Sequence, residues 1–265
     1  MKIVITGSTK GLGFGMAREF LMRGHDVMIS SRHSEAVGQA VLKLAEEFPQ
    51  RTVGGQACDV AEYDDVQTLW DKSVEVLGSV DIWVNNAGTD GLKVPFFAMP
   101  KADYMQTIKT NMIGLMHCNR VVIPGMYAQG GGAIWNMEGF GSNGQTRMGA
   151  SVYGATKYAL KYFTESLSKE LKDTPVRVCF LSPGIVVTDM LVPPPDKRGE
   201  GWEQVKKILN VLADTVETVT PYLVEGMLNA KENGAAVRWL TPGKIRRRFI
   251  MNIFKKRDVF TPLGL

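Results

Sequence analysis

The chain of 265 residues is 45% hydrophobic and 22% charged, ordinary globular usage that allows one large α/β domain or two small ones. Its net charge of +4 is unevenly placed: the stretch 244–265 carries +6 and residues 1–243 carry −2, which excludes the main body as a nucleic-acid surface. No run of about 18 apolar residues occurs, which speaks against a membrane-spanning helix.

The opening MKIVITGS enters a strand at once and leaves no room for a signal or transit peptide, pointing to a cytoplasmic protein. Cys58, Cys118 and Cys179 are widely spaced without a C-x-x-C, and His25, His33 and His117 do not join them. A reducing compartment and no metal site are expected.

In chain order, Lys2–Thr6 reads as a buried β-branched strand, followed by the turn GSTKGLGFG and an apolar helix stopped by Gly24. His25–Ser31 is a second strand, and a helix capped by Ser34 runs to Phe48. Thr52–Asp59 is a third strand, and Tyr63–Leu77 an amphipathic helix with Val66, Leu69, Trp70, Val74 and Leu77 inward. Val80–Val84 runs into NNAG, Lys101–Tyr127 is one long helix, and Ala133–Met137 a fifth strand. The helix Ser151–Lys172, a sixth strand Val176–Leu181 and a weak seventh at Val237–Leu240 follow. The alternation predicts a single Rossmann-type, doubly wound parallel α/β sheet of about seven strands with helices on both faces. The segment 189–233 breaks the rhythm and is read as a helical lid within a domain spanning 1–243, with 244–265 a basic amphipathic tail.

Gly7, Gly11 and Gly13 stand between the first strand and its helix, where backbone can approach a pyrophosphate at a helix N-terminus. The spacing G-x3-G-x-G departs from G-x-G-x-x-G, but its place after the first strand marks a dinucleotide site. Gly7, Ser8, Thr9, Lys10, Gly11, Leu12 and Gly13 are therefore candidate coenzyme contacts. The second strand ends Ser30-Ser31-Arg32 without an acid. Ser31, Arg32 and Lys10 favour the 2′-phosphate of NADPH over the 2′-hydroxyl of NAD. Tyr153 and Lys157 lie four apart on one helix face, a proton donor beside a fixed cation, although such pairs also occur without chemistry.

With Asn86-Ala87-Gly88, Asn111, Tyr153-x3-Lys157 and Pro183-Gly184 in this order, residues 2 to about 190 resemble the short-chain dehydrogenase/reductase family. The resemblance implies that Asp59 and Val60 hold adenine, while Asn86, Ala87, Gly88, Pro183 and Gly184 line the coenzyme cleft. It further implies that Val186 and Thr188 fix the carboxamide. Tyr153 would donate the proton and Lys157 would bind the nicotinamide ribose and lower the tyrosine's pKa. Asn111 would hold a water behind the lysine, and dimers or tetramers would form on 101–127 and 151–172.

One departure stands out: Glu138-Gly139-Phe140 occupies the place of the usual serine, about 13 residues before the tyrosine. The carbonyl would be oriented by Ser142, by Glu138, by a backbone amide, or by none of these, and Glu138 could instead be a salt-bridged loop carboxylate. Glu138, Phe140 and Met190 are the expected substrate contacts. NMEGFGSNG, VYGATKYAL, SPGIVVTDML and LTPGKIRRRF together are similar to the chlorophyll(ide) b reductases, which reduce a 7-formyl group with NADPH. A small-molecule substrate, large and apolar, is implied; other carbonyl substrates and a non-catalytic NADPH-binding role are the alternatives. Met190–Pro195 is read as part of an apolar lid. In the stretch 245–257, Ile245, Phe249, Ile250, Ile253 and Phe254 share a face flanked by cations, which suits a peripheral membrane contact, or packing on the domain or on another subunit.

Overall fold

The computed structural model describes residues 1–193, 198–199 and 201–265. Seven parallel strands form the central sheet: β1 (Lys2–Ile5), β2 (Asp26–Ser31), β3 (Val53–Ala57), β4 (Ile82–Asn85), β5 (Gly132–Met137), β6 (Val176–Ser182) and β9 (Ala236–Arg238). Their order is β3-β2-β1-β4-β5-β6-β9, so the direction of winding reverses between β1 and β4. That reversal opens a crevice at the carboxyl ends of the two strands, and the glycine turn and the NNAG segment both fall there.

The β-branched runs are buried because helices cover both faces. Ile3 and Ile5 enter one core layer with Met16, Phe20, Leu223 and Val224. Val4 enters the other with Leu69, Trp70, Val122 and Met126. The first layer belongs to α1 (Gly11–Met22), α2 (Ser34–Glu47) and α8 (Val216–Asn229), the second to α3 (Tyr63–Leu77) and α5 (Gly114–Ala128).

The long helix expected over Lys101–Tyr127 is interrupted. Helix α4 (Lys101–Ile108) passes into a π-helical turn, Lys109–Ile113, before α5 begins. Widened turns of this kind re-aim a side chain, and the one held here is Asn111. Ser34 is the first residue of α2 rather than its cap; His33 takes that place without a side-chain bond.

After β6, the short strand β7 (Ile185–Val186) pairs with β8 (Ala213–Asp214), a two-stranded sheet with no clear signal in the sequence. Between them lies α7 (Trp202–Leu212). Pro194 and Pro195, read as part of a lid, lie outside the described residues. The stretch 244–265 packs as part of the body. Phe260 is fully buried with Val187, Leu209 and Ala213, and Asp214 gathers three donors. Arg248 of α9 (Pro242–Phe254) reaches both its oxygens at 2.9 and 2.7 Å. Arg257 reaches Oδ1 at 2.7 Å, and Trp239 Nε1 donates to Oδ2 at 2.6 Å.

A carboxylate this buried offsets two guanidinium groups, and removing it strands them. Asp214→Asn is expected to cost about 3 kcal/mol of stability in denaturant unfolding; a change within about 0.5 kcal/mol would contradict the role given to this cluster.

Candidate active site

The crevice is knit from the ends of β1 and β4. Thr6 Oγ1 accepts from the N–H groups of Asn86 and Ala87 at 3.1 and 3.0 Å, and Asn86 Nδ2 donates to the carbonyls of Thr6 and Gly7 at 2.9 and 2.8 Å. Gly7 has φ +62°, and a Cβ on it would stand 2.8 Å from Ala87 Cα. The two loops touch only because this residue has no side chain. Ser8 is fully buried, donating to the Ile5 carbonyl at 2.6 Å and accepting from Ser30 N–H at 3.0 Å. Its hydroxyl thus holds the turn to β2 instead of facing the cleft. No side chain caps α1, so the first-turn N–H groups of Gly11, Leu12 and Gly13 are available to an anion.

At the end of β2, the Ser31 hydroxyl is buried without a partner, and Arg32 is exposed with no carboxylate on it among the described residues. An orphaned hydroxyl beside a free guanidinium fits a phosphate-bearing ribose. Lys10, expected to share that task, instead pairs with Asp189 at 2.8 Å, both side chains about four-fifths exposed. Such a pair contributes little and opens readily. Thr9 is half-buried within the turn, and Asp59 Oδ1 accepts from Ala61 N–H at 3.0 Å while Val60 is buried against Gly114. On the far wall, Pro183 and Gly184 lead into β7, which holds Val186, and Thr188 comes against Gly11.

Helix α6 (Ser151–Glu170) carries Tyr153 and Lys157. Lys157 is buried and its Nζ donates to the Met137 carbonyl at 2.9 Å. The same amine lies 3.9 Å from where a Gly88 Cβ would stand, which brings the NNAG loop onto it. Asn111 Nδ2 donates to the carbonyl of Thr89 at 2.8 Å and to Thr156 Oγ1 at 3.1 Å, and its Oδ1 accepts from Thr89 N–H at 2.9 Å. Thr156 in turn donates to the Tyr153 carbonyl at 2.7 Å. The π-helical turn therefore binds the NNAG loop to the helix of the pair. Neither Thr89 nor Thr156 carries a motif that marks it in the sequence.

The electrostatics differ from expectation. Burial pushes the Tyr153 phenol up to about 12, with Asp90 adding to the rise and Arg147 opposing it. Burial likewise lowers Lys157 to about 8, against a smaller raising effect of Glu138. In the protein itself Tyr153 is a firmly protonated acid.

The segment that replaces the usual serine is now placed. A Cβ on Gly139 would stand 2.4 Å from Tyr153 Oη and 3.2 Å from Lys157 Cε. The tyrosine hydroxyl occupies the space a side chain at 139 would need. Ser142 is buried and its Oγ accepts from Gly139 N–H at 3.0 Å, so it braces this backbone. Glu138, expected at the substrate, is buried and held by Arg238 at 3.1 and 3.4 Å. Phe140 carries the Arg147 guanidinium over its ring at 4.9 Å. Met190 is 45% exposed, and its carbonyl accepts from Lys93 at 3.1 Å. Beside this wall lies a cavity of about 360 Å³ lined by the apolar Met148, Leu191 and Trp202 and the cations Lys93, Arg147 and Arg198.

The short chain dehydrogenase family profile matches residues 1–198. The chain belongs to the short-chain dehydrogenase/reductase family, a family of nicotinamide-dependent oxidoreductases, and has its fold. It is similar to chlorophyll(ide) b reductase NOL of Arabidopsis thaliana, 41% identical over 99% of this chain and 74% of that protein. It is also similar to the probable chlorophyll(ide) b reductase NYC1 of the same plant, 38% identical over 99% of this chain. The chain spans about half the length of the NYC1 relatives it matches, 55% and 50%. The 7alpha-hydroxysteroid dehydrogenase of Escherichia coli K12 is 31% identical over 71% of this chain and 72% of that enzyme. Among solved structures, the closed form of serine dehydrogenase complexed with NADP+ superposes with a TM-score of 0.77 at 26% identity, over 91% of this chain and 95% of that one.

Two outcomes follow from the packing. Gly139→Ser, which restores the family's hydroxyl, is expected to lower kcat by about tenfold or more by displacing Tyr153; a rise in kcat would show that the site lacks only a serine. Lys157 is depressed from its ordinary 10.5 to about 8, so between these values the unfolded chain binds the extra proton. Its burial penalty is full below pH 8 and fades as pH rises toward 10.5. Lys157→Met should thus gain thermal stability relative to the parent most at neutral pH, with the gain shrinking as the buffer is made alkaline. A difference in melting temperature independent of pH would contradict this.

Proposed function

We propose that the protein reduces a carbonyl group with NADPH, and that its substrate is the 7-formyl group of a chlorophyll(ide) b-type tetrapyrrole. One observation carries the substrate reading. The likeness to the chlorophyll(ide) b reductase NOL reaches 99% of the chain, through the segments 199–265 that lie beyond the coenzyme-binding family match, whereas the hydroxysteroid dehydrogenase aligns over 71%. The cavity's mix of apolar side chains and cations suits contact with an apolar compound bearing a carboxylate, as a chlorophyllide does.

When bound, the coenzyme supplies the hydride. Its pyrophosphate would lie on Gly7–Gly13 and the first turn of α1, its adenine beside Asp59 and Val60, and its 2′-phosphate at Ser31 and Arg32. Asn86, Ala87, Gly88, Pro183 and Gly184 would wall the nicotinamide end, with Val186 and Thr188 at the carboxamide. Lys157 would hold the adjoining ribose through an ammonium already anchored on the Met137 carbonyl. Tyr153 gives its proton to the carbonyl oxygen as that oxygen gains negative charge. Burial pushes this phenol up to about 12, so it carries its proton at physiological pH and stands as a donor. Asn111 keeps the two loops and α6 in register, and Ser142 fixes the Gly139 backbone against the tyrosine.

Incubation with chlorophyllide b and NADPH is expected to yield the 7-hydroxymethyl product, with slower turnover on NADH. Tyr153→Phe should lower turnover by at least about a hundredfold while NADPH binding survives. An inactive parent on chlorophyllide b but active on hydroxysteroids or small ketones would overturn the substrate; an unimpaired Tyr153→Phe would overturn the chemistry.

A further inference from the structure

Helix α9 is built with its apolar side outward. Its inward line holds Ile245, half-buried and so off the apolar face expected for it, with polar groups: Arg248 is buried on Asp214 and donates to the Leu212 carbonyl at 2.7 Å, and Asn252 Oδ1 accepts from Arg257 N–H at 3.0 Å. The opposite line, at helical spacing, is Phe249, Ile250, Ile253 and Phe254, exposed by 48, 51, 79 and 81%. A surface helix normally hides such a stripe. Here the guanidinium groups tie the helix to the body and leave the apolar stripe uncovered. The alternative of packing this face on the domain, open from the sequence, does not describe the structure.

Charge says what covers it. Arg246, Arg247, Lys255 and Lys256 are exposed around the stripe, and none meets a carboxylate among the described residues. Asp258, the one acid of the stretch 244–265, spends its Oδ1 on the N–H groups of Phe260 and Thr261. Two copies meeting symmetrically through this face would set the same cations against each other. An anionic lipid surface satisfies both components, taking the apolar stripe into the acyl boundary and the cations onto headgroups.

We propose that α9 docks the protein on an anionic membrane surface, lying in the interface along its length of about 20 Å. Asp214 bonds Arg248 of this helix and lies in β8, the partner of β7, which follows Pro183 and Gly184 in the cleft. Docking would thus set the cleft's far wall close to the bilayer, a location where an apolar substrate resides. The surface stands independently of the substrate assignment.

The test is flotation of the full chain with vesicles of phosphatidylcholine alone and of equimolar phosphatidylcholine and phosphatidylglycerol. Binding is expected to the anionic vesicles and to fall with salt. Lys255→Gln and Lys256→Gln should each weaken it by about fivefold. The surface triple variant Phe249→Ser, Ile253→Ser, Phe254→Ser should abolish it while circular dichroism and NADPH binding stay unchanged. No binding to either vesicle would overturn the proposal, as would undiminished binding of the triple variant. Concentration-dependent self-association in light scattering, removed by the same triple variant, would assign the face to a second copy instead.

Discussion

The buried ammonium of Lys157 is the constraint around which the cleft is arranged. An amine out of water must be hydrogen-bonded or lose its proton, and the Met137 carbonyl at the end of β5 supplies the acceptor. Together with Asn136 Nδ2, which donates to Thr164 Oγ1 at 3.0 Å, that bond ties α6 to β5, and Tyr153, one turn earlier, meets Gly139 just beyond the strand. Gly88 comes against the same amine from the other loop, and Asn111 binds that loop to Thr156. The burial that makes the lysine a precise anchor also takes it to about 8 and the tyrosine to about 12. The site thus holds a protonated phenol beside a buried amine.

How much of this is legible in the amino-acid sequence depends on the reach of each interaction. The strands β1 to β6 and the helices between them follow from periodicity within a few residues, and so does their meeting at a crevice. The glycine turn and the NNAG segment are legible because they mark where backbone must come close. The π-helical turn is not, since nothing in KTNMI announces it; it is stabilised by Asn111 bonds to Thr89 and Thr156, 22 and 45 residues away. Glu138 reads either as a carbonyl-orienting group or as a salt-bridged loop carboxylate, and only Arg238, 100 residues on, decides for the second. The sign of the tyrosine's shift also escapes a local reading: adjacency suggests a cation's pull, while burial of both groups decides the outcome.

The lid and the C-terminal stretch show the same limit in another form. A sequence can reveal that α9 has an apolar side and a basic side, but not which one faces the body. That was settled by Asp214, whose two guanidinium partners and one indole fasten residues 239–257 to β8. Through β7 the same carboxylate steadies the segment that runs along the coenzyme crevice. The similarity to chlorophyll(ide) b reductases likewise runs over 99% of the chain, through this C-terminal stretch.

The central claim is that hydride comes from the coenzyme while the proton comes from Tyr153. Mass spectrometry of the product formed from chlorophyllide b with NADPH deuterated at the transferable C4 position tests it most directly. One deuterium on the new hydroxymethyl carbon is predicted, with no labelled product from Tyr153→Phe. Hydroxymethyl product without deuterium, or equal labelled product from the phenylalanine variant, would contradict it.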